Sequence, residues 1–236
     1  MKMLGAAAIC LIACLANSCS SPSHPDAAHS ETSFAEQLAN VRAGQIDRIE
    51  LVETAVDDAD IASIQASDRL RELILEAGQI SDEGAKSLAA IGTLEHLRLR
   101  LSPISDTGLE KLATMPHLRI LNLPQAEFSD DSMSAIAQMP ELQLFRFHSP
   151  HVTDLGIRQL LHSQSLLYLH LIDVPITDAI LDDLIANRRL QSLYIDGGNL
   201  SDEGYSRLFT GRPDLHIHIN QAHHDLDPQS TTHTHD

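Results

Sequence analysis

Between Ile46 and Asn220 one apolar slot returns at a constant step, at Ile49, Leu73, Leu97, Leu121, Phe145, Leu169, Leu193 and Ile217. Each copy opens with an apolar-x-x-apolar-x-apolar half, as in Leu70/Leu73/Leu75, Leu94/Leu97/Leu99, Leu118/Leu121/Leu123, Leu142/Phe145/Phe147 and Leu166/Leu169/Leu171. The alternation over the last three positions predicts a short strand with one buried face. The second half carries apolar pairs three positions apart, such as Ala85/Leu88, Leu109/Leu112, Ile157/Leu160 and Leu181/Leu184, which lie on one face of a helix. A degenerate last copy has Asp214, Ile217 and Ile219 in the strand slots. Strand–helix units of constant length that cannot bury an apolar face alone imply a stack.

The junction between the halves also repeats: "VDDAD", "ISDEG", "ISDTG", "FSDDS", "VTDLG", "ITDAI" and "LSDEG". Taken alone, Asp106-Thr107-Gly108 looks like the signature of an aspartic protease. A catalytic dyad needs carboxylates converging on one water, whereas aspartates at a constant step are spread along the stack. The Ser or Thr before each aspartate sits where an N-cap would, with the aspartate at the first helical position near the positive end of the helix dipole. Glycine at 84, 108, 156 and 204 relieves crowding against the neighbouring copy.

This pattern resembles the leucine-rich repeats, in their bacterial, ribonuclease-inhibitor-like or cysteine-containing classes. The resemblance implies an α/β solenoid: an open right-handed arc with parallel strands on the concave face and helices on the convex face. Where that family usually places Asn or Cys to bond successive turns, this chain has Thr54, Gly78, Ser102, Ala126, Pro150, Val174 and Gly198. The expectation is an internal polar ladder that is weak or absent.

Outside the repeats, Met3 to Ala16 is an apolar run after one lysine, followed by small residues. It is short for a membrane span and reads as an export signal over 1–18. It also resembles a bacterial lipoprotein signal, with Cys19 (or Cys14, which fits the preceding pattern better) as the lipidated residue. Residues 19–32, with two prolines and no large apolar side chain, predict a flexible tether. In "SFAEQLANVRAG", Ser33 and Glu36 have capping-box spacing and Phe34, Leu38 and Val41 share a helical face, so the repeat domain over 33–220 is expected to begin with a capping helix. Residues 221–236 read as a His-rich disordered tail.

All three cysteines, Cys10, Cys14 and Cys19, precede the repeats, which excludes thiol chemistry and disulfides from the repeat domain. A net charge of −17 argues against nucleic-acid binding. No phosphate-binding glycine loop, nucleophile elbow or zinc-protease helix occurs, and neither an enzyme nor a cofactor is expected.

The outward strand positions carry the candidate site. His96, Arg98, Arg100, Arg146, His148, Tyr168, His170 and Tyr194 share this register in mid-stack, and Arg and Tyr dominate interface energetics. They predict a concave surface for a protein or an anionic polymer in the cell envelope, with membrane contact only through a lipid on Cys19. The alternative is transition-metal binding by the C-terminal histidines, His216, His218, His223, His224, His233 and His235.

Overall fold

The computed structural model describes residues 32–64 and 68–220, and the backbone of 222–223. The signal, both candidate lipidation cysteines, the tether up to residue 31 and the histidines beyond His223 lie outside the described residues. Among the described residues, no helix is long and apolar enough to cross a membrane.

Eight parallel strands pair in sequence order: Arg48–Leu51, Glu72–Leu75, His96–Leu99, Ile120–Leu123, Leu144–His148, Tyr168–Ile172, Ser192–Asp196 and His216–Ile219. The register never slips, so Leu73 faces Leu97, Leu97 faces Leu121, and Leu121 faces Phe145. A helix follows each of the first seven strands, and the inward side chains of strands and helices form one continuous core. Leu73, Leu97, Leu121, Phe145, Leu169 and Leu193 are all fully buried. Parallel strands joined by helical crossovers, with one sheet face packed on those helices, make an α/β solenoid, as the repeat implied. In mid-core Phe128, Phe145 and Phe147 cluster, with ring centroids 4.6 to 6.1 Å apart.

Sheet edges expose unpaired backbone groups, and each end of this sheet handles them differently. At the start, the helix Phe34–Arg42 buries Phe34, Leu38 and Val41. The Gln37 amide donates to Glu50 O (2.9 Å) and accepts from Glu50 N (3.0 Å), standing in for a neighbouring strand. At the far end Ala222–His223 pairs antiparallel with the eighth strand, His223 opposite His218. There the buried Arg212 donates to the backbone carbonyls of Leu184, Asn187 and Leu190 and to Asp214.

The repeated aspartate couples one repeat to the next. Asp82 Oδ1 accepts from Ser105 N (3.0 Å) and Oδ2 from the Ser105 hydroxyl (2.5 Å), while that hydroxyl accepts from Thr107 N (3.2 Å) as the helix N-cap. The arrangement recurs from Asp58 to Ser81, Asp106 to Ser129, Asp130 to Thr153, Asp154 to Thr177 and Asp178 to Ser201. A Cβ on Gly108 would overlap Asp82 Oδ1, and the same holds at Gly84, Gly156 and Gly204 against Asp58, Asp130 and Asp178. The glycine makes room for the carboxylate of the preceding repeat.

The expectation of a weak or absent polar ladder is therefore corrected. The ladder is present, displaced from the turn slot to the start of the helix. At the turn slot, Ser102 is buried and its hydroxyl accepts from Ile80 N of the preceding repeat at 3.3 Å. In the first repeat Asp57 replaces the capping hydroxyl and accepts from Ala59 N (2.9 Å) and Asp60 N (3.0 Å). In the last, Asp202 is exposed and starts its helix, and among the described residues no Ser or Thr hydroxyl is bonded to its carboxylate.

Candidate functional site

The parallel register sets equivalent positions of successive repeats side by side on the outer face of the sheet, so each row of the face is legible from the strand pairing. The eight candidates divide into three groups.

The first group is already neutralised. Arg98 clasps Glu76, with Nε 2.5 Å from Oε1 and a hydrogen bond from an η nitrogen to Oε2 (3.1 Å), and Arg100 approaches the same carboxylate at 3.5 Å. Burial would raise the Glu76 carboxyl, but the hydrogen bonds and charges of both arginines outweigh it and hold its pKa below the usual value. His96 lies 3.9 Å from Glu72, and its pKa is lowered because burial disfavours the cation more strongly than Glu72 favours it. These side chains form an acid–base lattice and do not present a bare cationic surface. Glu50, Glu72, Glu76 and Asp196 share the face with its arginines.

The second group is His148 alone, at the end of the fifth strand. Its Nε2 is 3.7 Å from Asp173 in the following turn, and its buried Nδ1 has no hydrogen-bond partner among the described residues.

The third group converges. Arg146, Tyr168, His170 and Tyr194, with Leu144, Ser192 and His216, line a cleft of about 340 Å³. Arg146 Nε donates to His170 Nδ1 (3.0 Å), and another of its nitrogens reaches Asn122 Oδ1 (3.4 Å). His170 Nε2 lies 2.8 Å from Asp196 Oδ2. With Nδ1 accepting from a guanidinium, the proton resides on Nε2 and is donated to Asp196; this neutral tautomer follows from the hydrogen-bond network. Burial is the main cause of the lowered His170 pKa, and Arg146 adds to it against the pull of Asp196. Tyr194 packs on His170 at 5.1 Å and stacks on His218 at 4.2 Å, with planes 5° apart. Tyr168 donates to Gln191 at 3.2 Å. The Ser192 hydroxyl is buried and has no hydrogen-bond partner among the described residues.

The cleft thus has aromatic and aliphatic walls, a rigid Arg–His–Asp relay and one hydroxyl with spare hydrogen-bonding capacity. Such an arrangement can hold an apolar side chain and one polar group beside it. Ser192, Glu76 and Asp196 were missing from the candidate list, and His216 was named there only for metal. Their signal was available, since each falls in the same outward register, one or two repeats from a chosen residue. Among the described residues, no group of three or more His, Cys, Asp or Glu side chains is gathered as a metal site.

With this geometry in place, comparison with known proteins is informative. A family model described as "Leucine Rich repeat" matches residues 70–89 and 93–113. The chain has the fold of a leucine-rich repeat solenoid. Among solved structures it is similar to an internalin (InlF) from Listeria monocytogenes, with a TM-score of 0.53 and 18% identity. The similarity covers 77% of this chain and 48% of the internalin chain, so the chain spans about half the length of that protein. At this identity the likeness concerns the fold. The comparison with curated proteins gives no match.

Proposed function

We propose that this chain is a non-enzymatic protein-binding module of a bacterial cell envelope, and that it receives its partner on the concave strand face at the cleft of Arg146, Tyr168, His170 and Tyr194. The observation that carries the reading is the cleft itself: aromatic walls pre-positioned by stacking and a buried Ser192 hydroxyl left for an incoming polar group. A buried hydroxyl without a partner costs about 1–3 kcal/mol, which a ligand that reaches it recovers. Aromatic side chains held by their neighbours anchor a partner at low entropic cost.

A protein partner is favoured over an anionic polymer because Arg98 and Arg100 share Glu76, which leaves no line of unpaired cations along the strands. Residues 1–18 as export signal and Cys19 as lipid attachment site belong to the same reading. Mass spectrometry of the mature chain checks that part, since an acylated N-terminus at Cys19 supports it and a retained segment 1–18 counts against it.

The binding test is affinity capture from the parent envelope with the wild-type chain and a Tyr168→Ala/Tyr194→Ala variant of matched thermal stability. A partner held by the wild type and lost by the variant supports the cleft, and a partner lost by Arg98→Ala instead moves the site to the Glu76 lattice. Equal capture by both proteins overturns this assignment.

A further inference from the structure

One pair of side chains on the outer face has a geometry that protein binding does not require. His216 and His218 stand two positions apart on the eighth strand and project from the same face. Their Nε2 atoms are 2.8 Å apart, with ring centroids 4.4 Å apart and planes inclined by 53°. Both rings are half-buried, and the His218 ring is fixed by its stack on Tyr194. Without a metal, so short a contact requires one N–H donor and one lone-pair acceptor. A divalent ion that accepts both lone pairs would displace that proton and sit to one side of the line between the nitrogens.

We propose that His216 and His218 form a bidentate site for a divalent transition metal of the copper or nickel class. Two imidazoles whose nitrogens already meet can close on one ion after a small turn of the rings, since a metal–nitrogen distance of ~2.0–2.1 Å needs the nitrogens about 2.9–3.4 Å apart. Imidazole donors also bind copper(II) more tightly than zinc at a given site. Stacking on Tyr194 reduces the reorganisation needed to bring the rings together. Two histidines leave the remaining positions to water or to a donor from a bound molecule. The site goes beyond the protein-binding reading and stands whether or not a partner occupies the neighbouring cleft.

The test is a competition titration of Cu²⁺, Ni²⁺ and Zn²⁺ against a chelator with the full chain. It uses two variants, His216→Asn/His218→Asn and His223→Asn/His224→Asn/His233→Asn/His235→Asn. The second variant is expected to keep a single tight equivalent with Cu²⁺ preferred over Zn²⁺. The first is expected to weaken that equivalent by about 10- to 100-fold or more, at least the loss seen on removing a ligand's support. Undiminished binding by the first variant, loss in the second, or a preference for Zn²⁺ overturns the proposal. Substoichiometric Cu²⁺ added to the unmodified chain avoids any effect of substitution on folding. Broadening of the His216 and His218 ring signals supports the site, and broadening confined to other histidines overturns it.

Discussion

The helix-start ladder and the outer strand face are built on the same repeat step but use it in opposite ways. Along the ladder every rung has the same chemistry, a carboxylate and a hydroxyl of the next repeat, and all but the Asp154–Thr177 rung, where Ile180 stands, have a glycine or serine where the carboxylate enters. On the face each row differs from its neighbours. Glu76 with two arginines gives way to Asn122 with Arg146, then to His170 with Asp196, then to Tyr194 with two histidines. Identical rungs solve the one problem all repeats share, that of holding adjacent units in register. Unlike rows do not share that task, and it is there that we propose a partner is received; repetition marks the scaffold.

The largest expected effect measures both regions against the core. Leu121→Ala should cost roughly 2–5 kcal/mol, because Leu121 is fully buried in mid-stack. An unchanged midpoint in a denaturant melt would show that the stack relaxes around the lost side chain. Next is Asp106→Ala, which strands the Ser129 amide and hydroxyl at a partly exposed rung. A loss of about 1–3 kcal/mol is expected, and a loss confined to a few tenths would demote the ladder to decoration.

The same rung predicts a pH dependence. Burial raises the Asp106 carboxyl, but hydrogen bonds from Ser132 and Ser129 outweigh it, so the folded-state pKa lies below the usual value. A depressed folded pKa means the stabilisation is fully present above the unfolded value of about 3.9 and is lost as pH falls through the folded one. Thermal midpoints should therefore drop below about pH 4, and by less in Asp106→Asn. Equal acid sensitivity of the two proteins would remove Asp106 from the account.

On the face, Tyr194→Ala should cost only about 0.5–1.5 kcal/mol, the worth of its stacking contacts, while abolishing capture of the partner. A large destabilisation with capture intact would invert the comparison, making the face structural. The smallest effect is expected at Asp202→Ala. Asp202 has the ladder's position but no rung, so only its place in the helix dipole is lost, about 0.3–1 kcal/mol. A cost equal to that of Asp106→Ala would mean the rungs contribute nothing beyond the dipole.

The fold was readable because its cause is local and repeated. The Leu and Ile slots, the N-capping Ser or Thr and the constant step each appear several times, and the structure places them as that step requires. The partner of each aspartate was not readable from the N-cap rule alone. That rule looks within one helix, while the stronger bonds run forward to the helix of the next repeat. Arg212 escaped for a similar reason, since nothing near it in sequence shows that three backbone carbonyls converge on its guanidinium. The rows of the face were legible, but their pairing was not. Listing Arg98 and Arg100 without Glu76, which lies one repeat before Arg100 in the same row, left out the carboxylate that both arginines share.

The two ends of the ladder are not a matched pair. Asp202 stands where a seventh rung would begin, and among the described residues no hydroxyl is bonded to its carboxylate. The first repeat holds Asp57 in the hydroxyl's place, and its carboxylate is committed to its own helix. A row of interchangeable couplings thus has a marked first step, set by one exchanged residue that turns its acceptor onto its own helix.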